Sequence, residues 1–169
     1  MKIRIKFRKY GEMKFIGHLD MMRYFQKAMR RAGIDIRYSE GFSPHMIMSF
    51  ASPLGVGLTS DSEYLDIEVG ETLSSREAAA QLNEVMADGV EVVSFRRIPD
   101  GKASNAMALT AAADYEVRFR EGMEPEKGWE SLFDTFCAQS RIPVVKKTKK
   151  GERELDIRPL LYRSERRED

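Results

Sequence analysis

The chain has 169 residues, with 28 Lys+Arg against 27 Asp+Glu, 42% hydrophobic residues, 33% charged residues and one cysteine. That length suits one full core or two small domains, and the apolar content excludes bulk disorder. The lone Cys137 excludes an internal disulfide, the alternating start MKIRIKFRK is unlike a signal peptide, and no segment approaches the roughly 18 consecutive apolar residues that cross a bilayer, so the reading is cytoplasmic with no membrane role.

Ile3, Ile5 and Phe7 alternate with Lys2, Arg4, Lys6 and Arg8, which predicts a half-buried strand with a cationic outer face. From Gly17 the period becomes helical: Leu19, Met22, Phe25, Met29 and Ala32 form the apolar stripe, and Gly33 is the stop. Ile34 to Tyr38 is expected as a short strand, Gly41 to Pro44 as a turn and Met46 to Phe50 as another strand. Tyr64, Asp66 and Glu68 alternate with Leu65, Ile67 and Val69, Ser74 with Glu77 spells a capping box opening a helix through Met86, and Val90 to Ile98 reads as a closing strand. Strand, helix, strands, helix, strand is the order of a split βαβ, ferredoxin-like unit, so the fold class is α+β with a first domain over 1–99.

Residues 100–113 lack a period and read as a linker. Over 114–169 a second ferredoxin-like unit begins: Tyr115, Val117 and Phe119 alternate as a strand, Trp129 to Ala138 is helical, and Ile142 to Lys147 with Leu155 to Leu160 form a hairpin. Cys137, beside Phe133 and Phe136, reads as core. This βαββ order stops before its closing elements, so the unit is incomplete, and a second copy of the chain is one way to complete its sheet.

The overall balance hides a dipole. Residues 1–50 carry 11 Lys+Arg against 4 Asp+Glu, a balance of +7, whereas residues 51–90 carry 1 against 8, a balance of −7. Arg23, Lys27, Arg30 and Arg31 share the helix face opposite the apolar stripe, and with the strand's cations they predict a continuous basic surface suited to a phosphate backbone. Lys146, Lys147, Lys149 and Lys150 offer a second cluster of phosphate contacts, with a solvated hairpin tip as the plain alternative. Both histidines fall in the first fifty residues. His18, Asp20, Phe42 and His45 are expected around one concave surface, with His18, Asp20 and His45 the candidate acids and bases and Tyr38, Phe42 or His45 available to stack on a base. No cysteine pair, His-x-x-x-His or phosphate-cradling glycine loop is present in the sequence, so neither a metal nor a cofactor is expected.

The segments FIGHLDMMRYFQKAMRRAG, YSEGFSPHMIMSFASPLGVGLTSDSEYLDIEV and KKTKKGERELDIRPLL resemble the radical-SAM-linked proteins, a bacterial family encoded beside or fused to a radical SAM protein. The resemblance rests on His18-Leu19-Asp20 with Arg23, on Gly41-Phe42 with Pro44-His45, and on Asp156-Ile157-Arg158-Pro159. It departs from the family at Gly17, where serine is usual, and at Met46-Ile47, where proline and a basic residue are usual. The resemblance implies a radical SAM partner that holds the radical chemistry, since this chain has no cysteine triad. The functional expectation is an RNA-binding accessory module, non-catalytic, working with that partner in RNA modification. The alternatives are a protein-only adaptor docking the partner through the acidic 61–88 stretch, and an RNA-processing enzyme using His18, His45 or Asp20.

Overall fold

A computed structural model of the chain describes residues 1–101, 104–149 and 151–167. Alternation makes the first strand: β1 (Lys2–Lys9) buries Ile3, Ile5 and Phe7 on one face and turns Lys2, Arg4, Lys6 and Arg8 to the other. After a short 3-10 turn, α1 (His18–Arg31) buries Met21, Phe25, Ala28 and Met29, and Gly33 at φ 62° ends it in the left-handed region that glycine tolerates. The buried phase therefore runs through 21, 25, 28 and 29, which carries Leu19 round to solvent instead of into the stripe.

β2 (Met48–Phe50), β3 (Ser60–Glu68), α2 (Ser75–Val85) and β4 (Val90–Ile98) complete the first unit. The capping box forms as its spacing predicts: Ser74 Oγ accepts from the Glu77 amide, and the Glu77 carboxylate accepts from the Ser74 amide. The sheet order is β2-β3-β1-β4, with every neighbouring pair antiparallel. Phe25 and Met29 of α1 and Leu82 of α2 join Ile3, Ile5, Phe7, Leu65, Ile67 and Phe95 in one core, so both helices cover the same sheet face. At its centre Phe7, Phe25 and Phe50 meet edge to face at 4.8 to 5.9 Å between centroids, within the range where aromatic pairs attract.

Three expectations are corrected here. Ile34–Tyr38 forms only the isolated bridges Ile36–Val69 and Tyr38–Met46, and Asp35 beside them turns its carboxylate to the Glu71 amide at 2.9 Å. Met46 and Ile47 likewise precede the strand, which is three residues long. The stretch read as a linker is bound to the sheet: Lys2 donates to the Gly101 carbonyl at 3.2 Å, the Ala106 amide donates to Asp66 at 2.7 Å, and α3 (Ala106–Leu109) buries Ala106. The first compact unit accordingly runs from Met1 to Asp114.

The second unit, Tyr115–Asp169, holds α4 (Trp129–Ala138) and a hairpin of β5 (Pro143–Thr148) with β6 (Gly151–Asp156). The strand expected at Tyr115, Val117 and Phe119 does not form. Alternation supplies a face but not a partner, and Phe119 instead lies edge-on to Trp129 at 5.2 Å. The strand expected over Leu155–Leu160 ends at Asp156, whose carboxylate accepts from the Arg158 amide and so turns the chain into a 3-10 helix at Arg158–Leu160. Cys137 is half-buried rather than core, and no residue of α4 is fully buried. The molecule is thus a mixed α+β protein with a four-stranded antiparallel sheet and a separate two-stranded sheet.

Candidate functional site

Each candidate group is positioned by its element. On α1, Arg23, Lys27, Arg30 and Arg31 are all exposed, opposite the buried phase. Arg23 pairs with Asp20 at 3.0 Å, one turn earlier, and Arg31 donates to the Val85 carbonyl at the end of α2 at 2.9 Å. Lys27 and Arg30 have no carboxylate within ion-pair distance among the described residues. The face is therefore cationic along its length, with one anchored charge at each end and two unneutralised between them.

The continuous basic surface expected across α1 and β1 is not formed. The β1 cations lie on the sheet face away from the helices, and acids of the neighbouring strands neutralise three of the four, Lys6 lying between Tyr64 and Ser94 with no ion pair among the described residues. Arg4 grips Asp66 bidentately at 2.7 and 2.9 Å, Arg8 reaches Asp61 at 2.7 Å and Glu91 at 3.3 Å, and Lys2 approaches Glu68 at 3.9 Å. The hydrogen bond from Arg4 to Asp66, more than their Coulomb attraction, raises the Arg4 pKa. Much of the sequence dipole between 1–50 and 51–90 is thus consumed within the first sheet.

The two histidines have different partners. His18 stands edge-on to Phe50 at 5.2 Å, whereas His45 lies in the loop after Tyr38, its Nδ1 2.9 Å from Ser39 Oγ and its amide donating to the same hydroxyl at 3.1 Å. Phe42, at the tip of that loop, is fully exposed, with a relative accessibility of 111%. Asp20 faces Arg23 in solvent. No hydrogen bond or ring contact joins His18, Asp20, Phe42 and His45 among the described residues, so the structure does not assemble them into one acid–base site. On the hairpin, Lys147 pairs with Glu152 at 3.5 Å, while Lys146 and Lys149 are exposed without an ion pair among the described residues; Lys150 lies outside the described residues.

Sequence reasoning missed a different cluster. Lys9 continues the buried register of Ile3, Ile5 and Phe7 and is only 1% exposed, donating to the Ile16 carbonyl at 2.7 Å. With His18, Glu63, Phe7, Met21, Phe50 and Leu54 it lines a cavity of about 10 Å³, room for about one water. The signal was present in the sequence, since Lys9 breaks the even-numbered phase of the other four cations. Burial lowers the Lys9 pKa, the charge of Glu63 opposing in smaller measure, and burial raises the Glu63 pKa.

A base with a lowered folded pKa binds its proton more tightly when unfolded, so stability rises as pH climbs through the folded pKa toward the ordinary lysine value of 10.5. Lys9→Met should lose that rise, so its stability relative to the parent falls between neutral pH and pH near 10.5. Urea titrations at the two ends of the range measure it. An unchanged difference would mean that Lys9 is hydrated in the folded protein.

Compared with known families, residues 2–168 match the model of an uncharacterised protein conserved in bacteria. The chain belongs to that family, DUF2344. No curated protein shows a detectable match to it. No described helix is long and apolar enough to cross a membrane, and no group of three or more His, Cys, Asp or Glu among the described residues could hold a metal ion.

Proposed function

We propose that the chain is an RNA-binding accessory module in which the outer face of α1 follows a phosphate backbone and the loop bearing Phe42 supplies a stacking ring. The observation that carries this reading is the exposed cationic helix face, with Lys27 and Arg30 unneutralised among the described residues, in a unit that also holds an aromatic ring wholly in solvent. Phosphates need mobile cations and unpaired bases need an uncovered π face; together they bind single strands without strong sequence preference. Tyr10, Phe15 and Tyr38, also exposed, add aromatic surface to the same unit.

We read the first unit as ferredoxin-like, which the order β2-β3-β1-β4 and the helices following β1 and β3 support. A radical SAM protein as the working partner, and RNA modification as the setting, rest on the family resemblance alone. The rival adaptor reading is weakened by one observation: Asp61, Asp66 and Glu68 face Arg8, Arg4 and Lys2, and Glu77 closes the capping box, so much of the acidic stretch is already engaged. The enzyme reading through His18, His45 and Asp20 loses support because no contact joins them.

Fluorescence anisotropy with a labelled single-stranded RNA at low salt tests the proposal, with a duplex of the same sequence as competitor. Binding of the single strand with weak duplex competition is expected. Absence of binding at low salt would favour the adaptor.

A further inference from the structure

The first sheet carries a larger cavity, of about 140 Å³, on the face away from the helices, and its shape follows from the strand pairing. One row of residues crosses all four strands: the Glu68 amide donates to the Ile47 carbonyl, Glu68 opposes Lys2, and Lys2 opposes Ile98. Ser49 stands in the next row, opposite Asp66. Over this floor lies the chain that follows β4, tied down by three bonds: Lys2 donates to the Gly101 carbonyl, Arg4 to the Ser104 carbonyl, and the Ala106 amide to Asp66. Ser104 and Asn105 thereby border the cavity from above. Sheet below and clamped backbone above make a slot, and a cavity of about 150 Å³ is room for one six-membered ring.

The polar groups of the slot are arranged around one acceptor. Lys2 approaches Glu68 at 3.9 Å, an ion pair longer than a hydrogen bond, so the carboxylate can still accept. On its β1 side Lys2 keeps N–H donors beyond the one given to Gly101. On its β2 side stands Ser49, whose hydroxyl has no hydrogen-bond partner among the described residues. Asn105 spends its Oδ1 on the Met107 amide and keeps its NH2. Ile47 and Ile98 supply apolar surface at the two ends of the row.

We infer that this slot receives a uracil ring, supplied by a base of single-stranded RNA; the source of the ring rests on the RNA-binding reading above. Uracil is one ring wide, and its N3–H lies between two carbonyls, the inverse of a carboxylate between donors. N3–H donates to Glu68, while O2 and O4 accept from Lys2 on one side and from Ser49 or Asn105 on the other. Cytosine turns a lone pair at N3 toward the carboxylate, and offers its amino group there only by giving up a flanking carbonyl. A purine is two rings wide. The loop bearing Phe42 runs through Met46 directly into Ile47 and Ser49, so the stacking ring and the slot belong to the same edge of the first sheet. The slot thus adds a preference at one nucleotide to the phosphate contacts of α1.

The full chain tests this by anisotropy with labelled oligouridylate and oligocytidylate of equal length. The parent is expected to bind oligouridylate about tenfold more tightly, the scale of discrimination by paired hydrogen bonds to a base edge. Glu68→Ala should bring the ratio of the two affinities close to one. Ser49→Phe, which fills the slot from a strand position that suits an aromatic residue, should do the same, and melting curves like the parent's show that both variants fold. Free uridine and cytidine, followed by NMR, read the slot apart from the phosphate contacts: uridine should shift the Ser49, Glu68 and Asn105 signals saturably in the parent, and cytidine should not. Equal affinity of the parent for the two oligomers, or a uridine preference that survives both substitutions, would overturn the slot and leave RNA binding by α1 standing. Saturable uridine binding at the slot with no binding of either oligomer would keep the ring and overturn RNA as its source.

Discussion

Replacing Phe25 with alanine is expected to destabilise the first unit by about 3–5 kcal/mol, the range for truncating a buried aromatic residue. Phe25 is wholly buried and meets Phe7, Tyr24 and Phe50 edge to face, so the cavity has rings on three sides that cannot all collapse into it. A shift of the urea midpoint for the first unit checks this. A loss below about 1 kcal/mol would mean that the sheet and α1 repack around the void, contrary to the close packing described.

Phe42→Ala should do the reverse. Its ring is fully exposed, so the fold should not register its loss, whereas single-stranded RNA should bind more weakly by about 1–3 kcal/mol, or roughly 5- to 150-fold. Anisotropy titrations and a melting curve read the two quantities on one sample. Equal affinity in parent and variant would remove the stacking ring from the proposal and leave α1 alone to carry it.

Where the sequence speaks through local period, it was legible. The alternation of Ile3, Ile5 and Phe7, the Ser74–Glu77 box, the strand from Val90 to Ile98 and the helix from Trp129 to Ala138 all depend on neighbours within a few residues, and each stands where its period predicts. What was not legible depends on partners far along the chain. That Arg4 meets Asp66 and Arg8 meets Asp61 follows from the register of β1 against β3, so a basic strand face could be read but not its neutralisation. Lys9 and Glu63 come together for the same reason, through a pairing in which Phe7 opposes Glu63 and Lys9 opposes Ser60 across an irregularity in the ladder. Leu19 failed on phase: its spacing to Met22 is helical, but the buried arc is set by Met21, Phe25 and Ala28. The alternation at Tyr115–Phe119 was real in sequence and found no ladder within its own unit.

The most direct test of the RNA-binding account is the salt dependence of that binding. Each neutralised phosphate releases condensed counterion, so the log–log slope on single strands is near −0.7 per contact, and four contacts on α1 give about −3. The parent chain is expected to show that slope, and a variant with Arg23, Lys27, Arg30 and Arg31 all replaced by glutamine is expected to bind weakly with a slope close to zero while melting like the parent, since the buried phase of α1 is untouched. The same slope and affinity in parent and variant would contradict the account, because the phosphate contacts would then lie somewhere other than the face of α1.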